Sequence, residues 1–351
     1  MVYATILAGG IGARFWPFST PQKPKQLISL FDSRSMIELT VDRIQPLIDI
    51  LFQKIVTIPE QASLIASQIK SFAQSNFIIE PFPKNTAPCI GLAAVHLLKE
   101  DHDPIMVVLP ADHLIHDEEG FRHCLNIGIE FVQETDGIVT VGIEPSRPET
   151  GYGYIQYERD EVRKNLHRVR TFAEKPNLET AKRFIETREF LWNSGVFIWS
   201  ARRILSEIEE FLPKMYMALR EIQDALGSAD EEDRVRRAYQ SIKPISIDYG
   251  VMEQSRHVYV VKGAFDWSDV GSWEEVYRLT AKNGENNSIR GPIVVHGTRN
   301  SYLHSDGQKP IAVVGLENVI VVSTENGILI CDRHHVQDVR LAAEQVFKLN
   351  G

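Results

Sequence analysis

The sequence predicts an α/β protein: a doubly wound, Rossmann-like, mostly parallel sheet followed by a small C-terminal β module. Two observations carry this. From the N-terminus to about Asp112, strand and helix signals alternate, as expected of parallel strands joined by helical crossovers. After Asn283 the texture changes: the apolar runs Ile311 to Val314, Val319 to Val322 and Ile328 to Cys331 recur with Gly and Asn between them. Such runs suggest a short stacked β-helix or a sandwich. The expected domains are 1–282 and 283–351.

Each element has its own signal. Val2 to Leu7 is a short apolar run with β-branched members, typical of a buried parallel strand. A helix is expected over Met36 to Leu47, a strand over Lys54 to Ile58, a helix near Gln61 to Ser75 and a strand over Phe77 to Glu80. There follow a helix near Ala87 to Lys99 and a strand over Ile105 to Leu109. Further strands are expected at Ile138 to Ile143 and Val196 to Trp199. The charged stretch Glu207 to Arg237 alternates in sign and reads as a solvated helix pair without chemistry.

Ligands of such sheets sit at the carboxyl ends of strands. Three segments follow such ends: the glycine run after Leu7, the Glu80-Pro81 turn, and Pro110-Ala111-Asp112-His113. The first is the most informative. Leu7-Ala8-Gly9-Gly10-Ile11-Gly12-Ala13-Arg14-Phe15-Trp16-Pro17 is followed by Lys23-Pro24-Lys25-Gln26, so glycines come with cations attached. Glycines admit positive φ and let backbone N–H groups approach an anion. Arg14 offers a planar fork for phosphate oxygens and Lys25 a compact charge. Pro17, Pro21 and Pro24 keep the intervening segment irregular. The run is neither a dinucleotide fingerprint, because Phe15 occupies the third glycine position, nor a Walker A loop, because no Lys-Ser or Lys-Thr follows. A plain glycine turn remains the alternative.

Composition narrows the partners. The chain of 351 residues carries a net charge of −9, which argues against a nucleic-acid or membrane surface. Polyanionic substrates approaching such a protein need local cations or a metal. Cys89, Cys124 and Cys331 are too few and too scattered for a disulfide framework or a structural zinc site, which favours a reducing cytoplasm. No stretch is apolar enough for a signal peptide or a membrane span.

Two carboxylates are candidate Mg²⁺ ligands, since that ion takes one or two and keeps water and phosphate oxygens for the rest. Asp112 ends an apolar strand; Asp269 sits in Trp267-Ser268-Asp269-Val270-Gly271-Ser272-Trp273. For each, a turn or helix N-cap is the competing reading, most directly for Asp269. His113 is a site or scaffold group, and His334-His335 reads as structural. Asn85-Thr86 can cap a helix or read a base edge. Thr150-Gly151-Tyr152-Gly153-Tyr154, Glu174-Lys175-Pro176, Asn193-Ser194-Gly195 and Asp248-Tyr249-Gly250 place hydroxyl-binding groups or open backbone at turns.

Taken in order, eight motifs resemble the sugar-1-phosphate nucleotidyltransferases, and most closely the mannose-1-phosphate guanylyltransferases (GDP-mannose pyrophosphorylases). They are Ala8 to Pro17, Lys23 to Gln26, Lys84 to Pro88, Leu109 to His113, Thr150 to Ile155, Phe172 to Pro176, Asn193 to Phe197 and Trp267 to Trp273. The resemblance spans residues 3 to 280 and implies a GT-A-like nucleotidyltransferase sheet with a β-helical tail that often supports a homodimer. It implies that the chain joins GTP and mannose 1-phosphate into GDP-mannose and diphosphate, with Mg²⁺. By the same resemblance, Leu7, Ala8, Gly9, Gly10, Gly12, Ala13 and Arg14 cradle the triphosphate, and Lys25 neutralises charge at the α-phosphate. Asn85 and Thr86 read guanine, and Asp112 and Asp269 hold the metal. Gly151, Tyr152, Gly153, Glu174, Lys175, Asn193, Asp248 and Tyr249 face the sugar phosphate. Arg14, Lys25, Asp112 and Asp269 are the expected catalytic set. Transfer to another hexose 1-phosphate, or a non-catalytic nucleotide-sugar sensor, are the alternatives. The sequence stops at Gly351, which leaves no appended isomerase domain to expect.

Overall fold

The computed structural model describes residues 1–350. In chain order it contains β1 Val2–Leu7, α1 Met36–Ile44, β2 Gln53–Thr57, α2 Pro59–Gln68, β3 Phe77–Ile79, α3 Thr86–Glu100, β4 Ile105–Pro110 and the two-residue β5 Leu114–Ile115. Next come α4 Glu118–Glu134, β6 Ile138–Ile143, β7 Tyr154–Arg163, β8 Leu166–Ala173, α5 Leu178–Thr187, β9 Phe190–Ser200, α6 Ala201–Phe211, α7 Pro213–Ala225 and α8 Glu231–Ser241. The chain continues with β10 Val258–Gly263, β11 Trp267–Ser268 and α9 Trp273–Leu279. It ends with β12 Ser288–Arg290, β13 Ile293–His296, β14 Tyr302–Ser305, β15 Ile311–Val314, β16 Val319–Thr324, β17 Gly327–Asp332 and α10 Val339–Asn350. These elements form two compact units. One comprises residues 1–9, 40–111 and 115–267; the other comprises 10–39, 112–114 and everything from Ser268 onward.

The first unit is built on a nine-stranded sheet of order β3-β2-β1-β4-β9-β6-β10-β8-β7. β3, β2, β1 and β4 are parallel neighbours, as the alternating pattern requires, and Leu7 pairs with both Val56 and Pro110. Their carboxyl ends therefore share one edge. There the chain exits at Ala8, whose N–H donates to Val56 O at 2.9 Å, at Glu80, which donates to Thr57 O at 2.8 Å, and at Ala111, which donates to Leu7 O at 3.1 Å.

Two sequence expectations need correction here, and one hairpin is not among them. β9 runs through eleven residues, not only Val196 to Trp199, and lies antiparallel to both β4 and β6. The polar Asn193-Ser194-Gly195 stretch hides its first half. The hairpin β7–β8 has no strand signal in the sequence, because its charged, half-exposed residues lack an apolar run. The stretch around Glu207 to Arg237 forms three helices, α6, α7 and α8, and they are not merely solvated. Ile204, Ile208, Leu219, Ile222 and Tyr239 are fully buried in the core with Ala93, Ala94 and Trp199. At about 1.5–3 kcal/mol per large apolar side chain, that face is a substantial part of the unit's stability. The alternating charges occupy the opposite faces and mask it.

In the second unit the terminal module coils: Ser288 pairs with Tyr302 fourteen residues on, and Ile293 with Ile311 and Tyr302 with Ile320 eighteen residues on, all in parallel. The corners recur at the same spacing, Gly297 and Gly315 at φ of 59° and 68° and Asn300 and Asn318 at 53° and 57°. Leu303, Val313 and Val321 fill the coil. The run Ile328 to Cys331 does not add a turn; it returns antiparallel to β16 and closes the coil. The module is also not all β, because α10 buries Val339 and Ala343 against the aromatic residues of the glycine segment.

Candidate active site

The second unit holds the expected charge-handling residues. Gly12 has φ 71° and ψ 40°, the left-handed region, and an added Cβ would press into the Lys25 side chain. Two further bonds fix the turn: Lys25 N–H donates to Ile11 O at 3.0 Å and Ser19 Oγ to Gly12 O at 2.6 Å. Phe15, Trp16 and Phe18 anchor the segment in a buried aromatic cluster with Trp273 and Tyr302. Trp273 Nε1 donates to Trp16 O at 3.2 Å. The aromatic residues of this motif thus serve packing, and leave Arg14 exposed with no hydrogen bond or ion pair among the described residues.

Lys25 is the organising residue. Its side chain is only 8% exposed, yet its ammonium reaches Asp112 Oδ2 at 2.8 Å and Asp269 O at 2.7 Å, with the Phe15 ring 5.4 Å below. Two residues expected as metal ligands are therefore gathered by one cation. Burial pushes the Asp112 carboxyl up, but the Lys25 charge, His113 and the hydrogen bond outweigh it and hold it below the usual carboxylate range. The helix-cap reading fails for Asp269: α9 starts at Trp273 with Ser272 at its N-cap. Among the described residues no three metal-type side chains cluster. Two carboxylates are a sparse donor set that suits Mg²⁺, which keeps water and substrate oxygens for its remaining positions.

The first unit brings together most of the remaining candidates. Asn193 N–H donates to Gly153 O at 2.8 Å, and Asn193 Nδ2 donates to Asp248 Oδ1 at 2.8 Å. Lys175, at φ 48°, pairs with Glu174, whose Oε2 occupies the space where a Cβ on Gly153 would stand. Gly153, Glu174, Lys175, Asn193 and Asp248 thus form one polar cluster. Burial and then the Glu174 charge push Asp248 up to about 6. Tyr249 is 49% exposed, whereas Tyr152 is buried with its ring 5.2 Å from Trp192 and 5.1 Å from Trp267. Gly151 N–H is taken by Glu149 Oε1 at 3.0 Å.

Asn85 sits at φ 74° and caps α3 through Thr86 N–H at 2.8 Å. Thr86 Oγ1 accepts from Ile247 N–H at 2.9 Å, which ties this pair to the segment bearing Asp248. Leu7 and Ala8 spend backbone groups on the sheet: Leu7 O accepts from Ala111, and Ala8 O accepts from Thr57 Oγ1 at 2.7 Å.

Sequence reasoning passes over three groups. Lys84 of the Lys-Asn-Thr motif donates to Gln240 O at 2.6 Å and to Ile242 O, closing the end of α8. Glu80 is buried and accepts from the Tyr239 hydroxyl; burial pushes its carboxyl up. Ser268 Oγ accepts from Val270 N–H at 3.1 Å and donates to Glu275 Oε1 at 2.9 Å. The contacts of Lys84 and Glu80 join distant segments and those of Ser268 lie within one turn; a motif records neither.

The family model described as nucleotidyl transferase matches residues 3–286. The chain belongs to the nucleotidyl transferase family. A second model, described as a MannoseP isomerase/GMP-like beta-helix domain, matches residues 291–346. Among curated relatives of this nucleotidyl transferase, a mannose-1-phosphate guanylyltransferase of Escherichia coli is 37% identical over 98% of this chain and 74% of its own length. The alginate biosynthesis protein AlgA of Pseudomonas aeruginosa is 33% identical over 95% of this chain and 71% of its own. A crystal structure from Thermus thermophilus, described as a mannose-1-phosphate geranyltransferase, superimposes with a TM-score of 0.86 at 29% identity, covering 98% of this chain and 99% of that one. The chain is thus an enzyme of nucleotidyl transfer, and no helix among the described residues is long and apolar enough to cross a membrane.

Proposed function

We propose that the chain is a mannose-1-phosphate guanylyltransferase: a phosphate oxygen of mannose 1-phosphate attacks the α-phosphorus of GTP in line, the α–β bridging bond breaks, and diphosphate leaves with GDP-mannose formed. The nucleophile is already an anion, so no general base and no covalent protein intermediate are needed. The observation that carries the reading is the Lys25 ammonium held between Asp112 and the Asp269 carbonyl, in a chain alike over nearly its whole length to proteins so named.

Gly10, Gly12, Ala13 and Arg14 present N–H groups and a guanidinium to the triphosphate, and Lys25 offsets charge on the α-phosphate as it builds in the transition state. Asp112 and Asp269 would hold Mg²⁺, which when bound neutralises the phosphate oxygens. In the first unit, Asn85 and Thr86 are assigned to guanine, and Glu174, Lys175, Asn193 and Asp248 to the mannose hydroxyls and phosphate, with Gly151 to Gly153 and Tyr249 beside them. The setting we assign is cytoplasmic, and the assembly a homodimer through the β-helical tail.

The test is a matrix of nucleoside triphosphates against sugar 1-phosphates, scored by diphosphate release. Release confined to GTP with mannose 1-phosphate supports the reading. Equal release with another hexose 1-phosphate gives the broader transferase, and binding of GDP-mannose without any release gives a sensor.

A further inference from the structure

Val270 is strained. Its φ is +45°, and among the non-glycine residues with positive φ in the described structure it is the one with a β-branched side chain. For such a residue the left-handed region is a genuine outlier, kept only where the surroundings over-determine it. Here two devices do so. The isopropyl group is fully buried with Phe15, Trp273 and Val276, and the N–H is held by Ser268 Oγ at 3.1 Å, itself fixed by Glu275. Side-chain packing and a backbone hydrogen bond thus pin the same turn.

What the turn sets is the plane of the Asp269–Val270 peptide. Its carbonyl is the oxygen that accepts from Lys25 Nζ at 2.7 Å. Relaxing φ at Val270 to negative values rotates that peptide and withdraws the carbonyl from the ammonium. Glycine would tolerate the angle at no steric cost but would not hold it. We propose that Val270 is a positioning residue of the transfer reaction: its buried side chain locks the strained peptide that aims the Lys25 ammonium. This rests on the role given to Lys25 under the proposed function.

The experiment compares Val270→Ala, Val270→Gly and Val270→Thr in the full chain by steady-state kinetics per folded enzyme. Expected are falls in kcat of about 10- to 100-fold for Ala and Gly with KM for both substrates within about threefold, and near-normal kcat for Thr, which keeps the β-branch. In a Lys25→Ala background, Val270→Ala should change kcat by less than about twofold, since both act through one contact. Amine-reactive labelling of Lys25, followed by mass spectrometry, should speed up in Val270→Ala. Should the Ala and Gly variants fail to fold, Ser268→Ala loosens the same turn with the apolar core intact and should show the same kcat-only loss. Unchanged kcat, a loss carried in KM, or multiplicative losses in the double variant would each overturn the proposal. All variants are assayed with the substrate pair that the wild type turns over fastest, so a wild type that prefers another pair sinks the mannose and guanine assignment without touching this one.

Discussion

Lys25 and Asp112 lie 87 residues apart in sequence and meet at 2.8 Å, in a setting where the lysine side chain is 8% exposed and the aspartate 35%. The pair is asymmetric. Gly12 lies against the base of the Lys25 side chain and the Phe15 ring against its ammonium, while the carboxylate keeps an open side. The cation is held fixed and shielded from solvent, and its carboxylate partner carries the open side of the pair.

That confinement predicts that arginine will not replace lysine. The buried site beside the Phe15 ring holds a compact ammonium between Asp112 Oδ2 and Asp269 O, and a longer, wider, planar guanidinium does not place a point charge there. Lys25→Arg should lose about tenfold or more in kcat. Wild-type turnover in that variant would show that charge alone matters there.

Gly12 and Gly10 should behave differently. Gly12→Ala forces a left-handed alanine against Lys25 and should destabilise by about 1–3 kcal/mol. A Cβ on Gly10 meets nothing within 4 Å, so Gly10→Ala should leave stability within about 0.5 kcal/mol and weaken GTP binding instead. Denaturant unfolding and nucleotide titration of the two variants separate these effects.

Asp269 offers its carbonyl to Lys25 and, in the proposed role, its carboxylate to Mg²⁺. Asp269→Asn keeps the former and removes a charge from the latter. The Mg²⁺ concentration for half-maximal turnover should rise about tenfold or more while melting temperature stays near wild type. An unaltered Mg²⁺ dependence would take the metal role from this residue.

Asp248 predicts a pH effect on stability. Its carboxyl titrates at about 6 in the folded chain against an ordinary value of 3.8. The folded state therefore holds the proton more tightly. That contribution is fully present below about pH 4, is lost as pH rises through 6, and leaves a buried charge above it. Asp248→Asn keeps an acceptor for Asn193 and should raise the melting temperature at pH 8 while flattening stability between pH 4 and 6. Parallel pH profiles for the two proteins would contradict this.

Much of the frame is legible because it rests on local pattern. β1, β4 and β6 are mainly apolar runs, and the glycine exit of β1 and the aspartate exit of β4 stand where parallel topology puts them. β9 is half hidden because its polar Asn193 to Gly195 segment is a contact region placed inside a strand. α6 to α8 mislead because their charges are conspicuous and the spacing of their buried Ile204, Ile208, Leu219 and Ile222 is not. The later turn of the terminal coil spans eighteen residues and carries two strands, so runs eight or nine apart show only half of it. The proposed site residues Lys25 and Asp112 are legible because their chemistry is written in the side chain. The role proposed for Val270 is not legible that way, since it rests on a backbone angle held by packing.

Whether Lys25 acts on the chemical step is decided by rapid-quench single-turnover kinetics on Lys25→Ala. Expected is a chemical step slowed by about 100-fold or more with GTP affinity changed only a few-fold. A chemical step at the wild-type rate, with the loss confined to GTP binding, would contradict it.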